Sequence, residues 1–373
     1  MKILHITQSA GYGVTIYVNS LIRGLKEYGC EQVLLGSEYY DTEEYKALLD
    51  NLYIIPMKRE VTINDVGIIL KCRKIVRQVK PNIVYCHSSK AGIYGRFACL
   101  GLGVKVIYNP HGWAFNMHCS KIKQCIYKAF EIVMATITDV IITISKYEKN
   151  STPYLIPSHK VITIINGVNV KSNLKILSDS NIKRGDLGIP DDAFVVGMVA
   201  RISIQKGQDM FVKAAQLLVK KIPNVFFINV GGKSDDIPLE DIINDAGLQD
   251  RFIITNEVPD AIKYIKLFDV AVLTSRWEGF GLVLPEYMLA EKPIVAFDVD
   301  AVSESVKENI NGLLVEPENI SILAESIYKL YVEPQRRLNY GRTGRTIAEK
   351  KFDINRVVKM HLKLFESFRI NNK

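Results

Sequence analysis

The chain has 373 residues, 48% hydrophobic and 24% charged, a balance typical of a soluble globular protein and not of a disordered, collagen-like or disulfide-rich one. Lys and Arg outnumber Asp and Glu by 48 to 40, and the whole excess falls within residues 1–170. The length predicts two domains, each large enough to bury a core. No apolar stretch reaches the about 20 residues that span a bilayer, and the N-terminus lacks a signal-peptide pattern, so we expect a cytoplasmic protein.

Short β-branched runs alternate with amphipathic segments along the chain, the pattern of parallel sheets with helices on both faces. In the first half the predicted strands are Lys2–Thr7, Gln32–Gly36, Ile83–His87, Lys105–Tyr108, Val140–Ile144 and Val161–Ile165. After a polar stretch with little periodicity at residues 171–190, the predicted strands are Phe194–Val199, Val225–Val230, Phe252–Thr255, Val270–Thr274, Ile294–Phe297 and Gly312–Val315. We therefore predict two Rossmann-like domains, at residues 1–170 and 171–352, followed by a C-terminal helical segment at residues 353–373.

The loop Gly11-Tyr12-Gly13 follows the first predicted strand, at the edge where parallel sheets bind their ligands. Two glycines allow the backbone to approach a phosphate closely, but the dinucleotide fingerprint requires a third glycine where Ile16 stands. The loop is therefore interpreted either as a phosphate-binding turn or as a plain tight turn.

Two basic segments carry part of the excess charge. The first, on a predicted amphipathic helix, contains Lys71, Arg73, Lys74 and Arg77. The second, close to the aromatic loop at residues 113–117, contains Lys121 and Lys123. Each segment is either a solvated helix face or a surface for anionic lipid headgroups or an anionic acceptor. Nucleic acid is not predicted as a partner, because no nucleic-acid-binding motif accompanies the charge.

His87 and His111 each lie at or just after the end of a predicted strand. His87 by itself is best interpreted as a structural histidine. His111 is the stronger site candidate, because Gly112 opens the backbone to a ligand and Trp113 and Phe115 crowd the same loop. Neither histidine has a second ligand at zinc spacing, and the six cysteines form no C-x-x-C pair, so we expect reduced thiols and no metal site.

In the second half, Arg201 and Lys206 lie on one predicted strand-to-helix loop, so that both can reach a diphosphate from one side. Their fixed charges can replace a divalent cation in stabilising a departing nucleotide. Ordinary surface salt bridges are the other interpretation.

Two glutamates, Glu278 and Glu286, flank a glycine-rich turn after the strand at Val270–Thr274. The backbone amides of this turn suit a phosphate or a sugar hydroxyl, and they belong to Gly279, Phe280, Gly281 and Leu282. The two carboxylates suit sugar and ribose hydroxyls. A retaining hydrolase pair is the competing interpretation, although hydrolysis needs no diphosphate site.

Taken in chain order, these motifs resemble those of the retaining family-four glycosyltransferases, which have the GT-B fold. The motifs are Gly11–Gly13, His111-Gly112, Asn166-Gly167-Val168-Asn169, Arg201 with Lys206-Gly207, Glu278-x7-Glu286 and Asn311-Gly312-Leu313-Leu314-Val315. The resemblance implies two Rossmann-like domains facing each other across a cleft, the first for the acceptor and the second for a nucleotide-sugar. It also implies a C-terminal helix that crosses back to the first domain.

The resemblance also implies roles for the site residues. Arg201 and Lys206 would hold the diphosphate, and Glu286 would bind the ribose. Glu278 would bind the donor sugar, with His111 beside the C6 of that sugar. The loop around Val258 would border the base. Gly11 and Gly13 would complete the nucleotide-sugar site. Transfer would retain the anomeric configuration, with the leaving diphosphate assisting the incoming hydroxyl and with no cofactor or metal. UDP is the first choice of nucleotide and GDP the second.

The expected acceptor is a lipid-linked saccharide used in bacterial surface polysaccharide synthesis, on an anionic membrane surface that the first domain contacts from the cytoplasmic side. The chain departs from the family pattern where Asp300-Ala301-Val302-Ser303-Glu304 replaces a Gly-Gly pair before the glutamate. Asp298-Val299-Asp300 is formally a metal-binding D-x-D, but the cationic pair already supplies that charge. The alternative functions are a sugar-nucleotide epimerase of similar fold and, on weaker grounds, a dinucleotide-dependent oxidoreductase.

Overall fold

The computed structural model describes residues 1–8, 12–57, 65–232 and 237–370. The chain divides into two compact units, one formed by Met1–Gly167 with Ile354–Lys373 and the other by Val168–Asp353. Each unit is built on a parallel sheet with intervening helices, which confirms the predicted α/β class with two Rossmann-like halves.

The described strands of the first unit form one parallel sheet in the order β3-β2-β1-β4-β5-β6-β7. They are β1 (Lys2–Thr7), β2 (Glu31–Gly36), β3 (Asn51–Ile54), β4 (Ile83–His87), β5 (Lys105–Asn109), β6 (Val140–Thr143) and β7 (Val161–Thr163). The helices between them are α1 (Tyr12–Glu27), α2 (Glu43–Leu48), α3 (Asp65–Val79), α4 (Ser89–Cys99), α5 (Lys121–Ala135) and α6 (Lys146–Asn150).

The strands of the second unit form a parallel sheet in the order β10-β9-β8-β11-β12-β13. They are β8 (Phe194–Val199), β9 (Val225–Val230), β10 (Phe252–Thr255), β11 (Val270–Leu273), β12 (Ile294–Phe297) and β13 (Gly312–Val315). The helices of this unit are α7 (Val170–Asp179), α8 (Gln208–Leu218), α9 (Leu239–Asp245), α10 (Ile262–Ile265), α11 (Val283–Leu289), α12 (Val302–Ser305), α13 (Ile320–Val332) and α14 (Pro334–Lys351). The last helix, α15 (Ile354–Ile370), belongs to the first unit, as expected.

The two faces of the first sheet differ in chemistry. Side chains alternate along each strand, so that Leu4, Ile6, Val84 and Cys86 point to one face, where they join an apolar core with residues of α3 and α4. The register of β1 with its neighbours β2 and β4 places a polar set on the other face, namely Gln32, His5, Tyr85 and His87. This polar face carries the histidine chain described below.

Helix α15 packs against the first unit through both apolar and polar contacts. Its residues Val357, Val358 and Phe365 are buried. A Cβ atom on Gly24 of α1 would lie 2.4 Å from Val358 Cγ2, so the two helices pack closely because that position lacks a side chain. The buried His361 adds a hydrogen bond of 3.0 Å between its Nε2 and the Tyr85 hydroxyl.

Both sheets reverse their winding direction once, between β1 and β4 in the first unit and between β8 and β11 in the second. Loops that leave neighbouring strands in opposite directions open a crevice at the carboxyl ends of those strands, and ligands of open α/β sheets bind there. The predicted site residues after β8 and β11 therefore lie at this point of the second sheet.

Candidate functional site

Two loops of the second unit, residues 200–207 after β8 and 274–282 after β11, are joined by hydrogen bonds. The Arg276 amide donates to the Gln205 carbonyl at 2.7 Å, and the Gln205 side chain donates to the Trp277 carbonyl at 3.1 Å. The Thr274 hydroxyl donates to the Gly207 carbonyl at 2.9 Å. The two loops therefore form one structural element at the crevice.

Gly207 allows this close approach. It caps α8 with a φ of 68°, in the left-handed region that favours glycine. A Cβ atom at this position would lie 2.2 Å from the Thr274 carbonyl oxygen. The glycine after Lys206 is therefore required by the geometry of both loops.

Lys206 and Glu278, predicted to act at the same site, are in direct contact. The Lys206 ammonium lies 2.5 Å from Oε2 of Glu278, which also accepts a hydrogen bond from the Ser275 hydroxyl at 3.2 Å. The Glu278 side chain is largely buried. The pair places a positive charge and a carboxylate side by side at the end of β11.

Asp300, the last residue of the D-x-D sequence, anchors this loop. Its Oδ2 accepts a hydrogen bond of 2.7 Å from the Glu278 backbone amide, and its own φ of 47° lies in the left-handed region. Within the described ranges, no three His, Cys, Asp or Glu side chains are grouped closely enough to hold a metal ion. The Asp300 carboxylate thus has a defined partner in the loop that carries Glu278.

Glu286 lies in the first turn of α11, which Leu282 caps. Burial raises the pKa of its carboxyl to about 7. No hydrogen bond to this carboxyl is formed by any residue that the structure describes. Gly281 has a φ of 77°, and a Cβ atom there would lie 3.3 Å from Glu278 Cγ. The backbone of Gly281, which carries no side chain, therefore lies next to Glu278 and shortly before the carboxyl group of Glu286, which has no described hydrogen-bond partner.

The remaining predicted residues of this unit surround the same edge of the sheet. Arg201 follows β8, and the next amide, that of Ile202, donates to the Gly232 carbonyl after β9 at 3.1 Å. A Cβ atom on Gly232 would lie 3.2 Å from Cβ of Glu257, the residue before Val258. The Phe280 side chain is buried, with its ring centroid 5.6 Å from that of Phe352, so this side chain is not available to a ligand. Gly279 and Leu282 on either side of it are half-buried.

In the first unit, His111 follows β5 with a φ of 53°. Its amide donates to the Asn109 side chain at 2.9 Å, and the Gly112 amide donates to Oε1 of Glu148 at 2.7 Å. The His111 imidazole is half-buried and meets the Tyr17 ring edge-on at a centroid distance of 5.1 Å. Side-chain hydrogen bonds thus hold the strained loop that carries His111.

Glu148 is a buried residue that the sequence analysis missed. Its second carboxylate oxygen accepts from the Ile144 amide at 2.6 Å, and its carbonyl accepts from the Trp113 indole at 3.0 Å. Burial raises its pKa to about 7, although the two amide hydrogen bonds act in the opposite direction. The available signal was S-x-x-E at residues 145–148, the N-terminal pattern of a helix, which here caps α6.

A chain of buried hydrogen bonds runs from Gln32 to His111. The Gln32 Oε1 atom lies 2.9 Å from His5 Nε2, His5 Nδ1 lies 3.0 Å from His87 Nε2, and His87 Nδ1 lies 3.1 Å from His111 Nε2. Burial lowers the pKa of His5 to about 4 and that of His111 to about 3, and lowers the pKa of His87 as well. All three imidazoles are therefore neutral near pH 7, and His87 links the other two.

The other predicted residues of the first unit lie on its helices and loops. Gly13 is in the first turn of α1, whereas Gly11 lies outside the described residues. On α3, Lys71, Lys74 and Arg77 are exposed. The half-buried Arg73 instead donates to two carbonyl oxygens at the end of α4, at 3.0 and 2.6 Å.

Helix α5 exposes apolar as well as basic side chains. Ile122, Ile126 and Val133 are 74%, 58% and 65% exposed, and at 100° per residue they form one stripe opposite the buried side of the helix. Lys121 and Lys123 are exposed on the two sides of this stripe. No helix in the described part of the chain is long and apolar enough to cross a membrane.

Charge is unequally divided between the units. The first unit has 25 Lys and Arg against 13 Asp and Glu, a net charge of +12, and the second has 23 against 27, a net charge of −4. The basic character predicted for the first half is thus increased by the C-terminal helix.

Comparison with known proteins relates each half of the chain to a glycosyltransferase family. The family described as Glycosyltransferase Family 4 matches residues 12–172, and Glycosyl transferases group 1 matches residues 179–347. The UDP-Gal:alpha-D-GlcNAc-diphosphoundecaprenol alpha-1,3-galactosyltransferase of Escherichia coli is 29% identical over 275 residues, 72% of this chain and 71% of that enzyme. The capsular polysaccharide biosynthesis glycosyltransferase CapM of Staphylococcus aureus is 26% identical over 351 residues, 89% of this chain and 90% of that protein.

Solved structures agree on the fold. Sucrose-phosphate synthase from Thermosynechococcus elongatus superposes with a TM-score of 0.84 at 19% identity, covering 99% of each chain. Anabaena HepE in complex with UDP and glucose superposes with a TM-score of 0.83 at 21% identity, covering 98% of this chain and 100% of that one. The chain therefore has the GT-B fold of glycosyltransferases, and its two units match two glycosyltransferase families, described as Glycosyltransferase Family 4 and Glycosyl transferases group 1.

Proposed function

We propose that this glycosyltransferase moves a sugar from a UDP-sugar to a lipid-linked saccharide in bacterial surface polysaccharide synthesis, with retention of the anomeric configuration. The observation that carries the proposal is the joined pair of loops after β8 and β11, which brings Lys206 and Glu278 to 2.5 Å of each other. The Escherichia coli relative named above supports the donor and acceptor classes, and HepE with UDP and glucose supports the nucleotide.

In this proposal the second unit binds the donor. Lys206 and Arg201 provide positive charge for the diphosphate, and Glu278 binds hydroxyls of the sugar. As the bond between the sugar and the diphosphate breaks, negative charge grows on the leaving group, and a fixed ammonium stabilises it without a metal ion. The leaving diphosphate then accepts the proton of the attacking acceptor hydroxyl on the same face of the sugar, which gives retention.

Glu286 would bind the ribose. A carboxylate accepts two hydroxyl hydrogen bonds at once, and the unpartnered carboxyl of Glu286 retains this capacity. Because its pKa is about 7, the carboxyl must lose a proton to bind both hydroxyls in this way. We therefore expect the affinity for the nucleotide to increase as the pH rises through about 7.

The donor assignment is tested by a thermal-shift titration with UDP and GDP, because binding to the folded state raises its melting temperature. We expect a larger shift with UDP, its loss in Glu286→Ala, and its retention in the matched control Glu316→Ala, at an exposed position of the same unit. A full UDP shift in Glu286→Ala would contradict the ribose role.

The acceptor assignment needs a separate assay. With membrane extract and UDP-sugars supplied together, the enzyme should release UDP and label a lipid fraction. Conversion of the UDP-sugar without any acceptor would favour the epimerase alternative. Absence of UDP release with every sugar nucleotide tested would contradict the transferase proposal.

We further propose that the first unit contacts the inner face of the cell membrane. Its charge of +12 and the exposed stripe of α5 between lysines combine attraction to anionic headgroups with apolar burial. The protein should float with phosphatidylglycerol vesicles and not with phosphatidylcholine vesicles. Ile126→Asp should weaken flotation, whereas Ile322→Asp, on an exposed position of the second unit, should leave it unchanged.

A further inference from the structure

Every second side chain of the loop after β11 reaches across to the loop after β8. The Thr274 hydroxyl lies 3.1 and 2.9 Å from the carbonyl oxygens of Lys206 and Gly207. The Glu278 carboxylate contacts the Lys206 ammonium. Arg276 lies between these two residues, and alternate side chains of an extended segment share a face, so its side chain reaches the same loop.

The Arg276 guanidinium holds the chain on both sides of Lys206. Its Nη1 donates to the Ile204 carbonyl at 2.7 Å, two residues before the lysine. Its Nη1 and Nη2 also donate to the two carboxylate oxygens of Asp209, three residues after the lysine, at 3.0 and 2.7 Å. The Arg276 amide donates to the carbonyl of Gln205, directly before the lysine. One arginine therefore brackets the segment that carries Lys206.

The geometry of the Arg276–Asp209 pair differs from that of an ordinary surface salt bridge. The two side chains are 19% and 20% exposed, and a bidentate arginine–carboxylate pair shielded from water is stronger and more directional than an exposed pair. A lysine would keep the charge, but its single ammonium lacks the planar fork that meets both carboxylate oxygens. Position 276 therefore requires the shape of arginine as well as its charge.

The same contacts oppose a role for Arg276 as a direct ligand of the diphosphate. Nη1 and Nη2 face the Asp209 carboxylate, and Nε lies 3.6 Å from Oε1 of Glu318. Two carboxylates therefore already offset its positive charge. A guanidinium held in this way fixes the residues around it and leaves the charge of Lys206 to the leaving group.

We propose that Arg276, held by Asp209, is a positioning residue that sets Lys206 against Glu278 in the donor site. The inference rests on the proposed function, in which Lys206 stabilises the leaving diphosphate and Glu278 binds the sugar. Misplacing a catalytic group by about 1 Å can lower a rate about 100-fold. Because the charge of the leaving group grows only as its bond breaks, loss of the positioning residue should lower the rate more than the donor affinity.

The first test compares rate with affinity in Arg276→Gln. UDP is the binding probe, and the rate is that of UDP release from UDP-glucose, UDP-galactose or UDP-N-acetylglucosamine, whichever the wild type uses fastest, with membrane extract as the acceptor source. We expect the rate at saturating donor to fall roughly tenfold or more and UDP binding to weaken roughly threefold or less. A rate within about twofold of wild type, or equal losses in rate and UDP affinity, would overturn the proposal.

Two milder variants and a control accompany Arg276→Gln. Arg276→Lys, which keeps the charge and loses the fork, should resemble Arg276→Gln more than wild type. Asp209→Asn should show the same split between rate and affinity if Arg276→Gln does not fold. Arg345 of the same unit also meets two carboxylates, those of Glu291 and Glu349, so Arg345→Gln is the matched control and should leave rate and UDP affinity unchanged.

The second test needs no donor. A double-mutant cycle between Lys206→Met and Glu278→Gln, measured by urea unfolding of the full chain, gives the coupling between these two side chains. We expect Arg276→Gln to reduce this coupling by roughly half or more, because the pair loses its fixed separation, and Arg345→Gln to leave it as in wild type. Equal coupling in the Arg276→Gln and wild-type backgrounds would overturn the positioning role.

The two tests separate failure of this proposal from failure of the proposed donor. If UDP does not bind the wild-type protein and none of the three UDP-sugars releases UDP, the donor assignment fails, and the unfolding cycle still decides whether Arg276 sets Lys206 against Glu278. If UDP binds and Arg276→Gln changes neither the rate nor the coupling, the donor assignment stands and the positioning role is overturned.

Discussion

Replacing Glu286 by glutamine should stabilise the second unit at alkaline pH while impairing nucleotide binding. The carboxyl is largely removed from water without a described hydrogen-bond partner, and its pKa rises from the ordinary 4.5 to about 7. A folded-state pKa above the unfolded one means that the folded state holds the proton more tightly. The contribution of Glu286 to the stability of the native protein is therefore greatest below about pH 4.5 and falls as the pH rises from there to about 7.

The size of the effect follows from the pKa. Moving from 4.5 to about 7 corresponds to about 3 kcal/mol at about 1.4 kcal/mol per pH unit. Since the side chain is partly exposed, water reduces this penalty, and we expect roughly 1–2 kcal/mol. Glutamine has nearly the same shape and no charge, so Glu286→Gln should recover this energy above about pH 7.5, about a quarter of it at about pH 5, and nothing below about pH 4.

Differential scanning calorimetry between about pH 5 and pH 8.5 measures the effect. For a unit of this size, we expect the melting temperature of Glu286→Gln to exceed that of wild type by about 2–8 °C at about pH 8 and by at most about 2 °C at about pH 5. Glu316→Gln, at an exposed position of the same unit, should show no such dependence. If the melting temperature of Glu286→Gln is below that of wild type at alkaline pH, or if the difference between the two proteins does not depend on pH, the burial argument is refuted.

Three further substitutions test other parts of the structure. Lys206→Met leaves the carboxylate of Glu278 without its cation, so we expect the free energy of thermal unfolding to fall by about 1–3 kcal/mol. We also expect kcat to fall more than donor affinity, and equal losses in the two would contradict the leaving-group role. Gly207→Ala should destabilise the protein by about 2–4 kcal/mol, more than the control Gly29→Ala, because Gly29 shares the positive φ but has open space around it. Similar melting temperatures for the two variants would disprove the steric argument. Glu148→Gln should cost about 1–3 kcal/mol in denaturant unfolding at about pH 5 and less at about pH 8, where burial of the ionised carboxylate already destabilises the wild type. A cost that grows as the pH rises would contradict its assigned pKa.

The sheets were predictable where strands are buried on both faces. Strand β4 is fully buried, and its apolar run identified it with its observed ends at Ile83 and His87. Strand β3, Asn51–Ile54, was missed although Leu52, Tyr53 and Ile54 are apolar, because a four-residue edge strand with half-buried side chains gives a short signal. Helix α7, Val170–Asp179, was missed for a similar reason. Leu177 is its one buried residue, so the helix has little apolar periodicity, and the Asn169 cap marks only where the helix begins.

The contacts of the site were harder to predict than its residues. Lys206 and Glu278 are 72 positions apart, and they meet because β8 and β11 are neighbours in the sheet. The sequence also separates His5 from His87 by 82 positions, and their contact depends on the register of β1 with β4. A shift of one residue in either strand would move its histidine to the opposite face of the sheet.

The polar face of the first sheet is itself an argument about function. Buried imidazoles and a buried amide must be desolvated, and their hydrogen bonds return little net free energy compared with apolar packing of the same volume. The opposite face of the same strands, with Leu4, Ile6, Val84 and Cys86, shows that apolar side chains fit this sheet. Stability alone would therefore favour apolar residues at positions 5 and 87 too. The polar chain instead ends at His111, on a loop with positive φ at the carboxyl edge of the sheet, where open α/β sheets bind their ligands, so its placement follows the ligand edge of the fold and not the packing of the core.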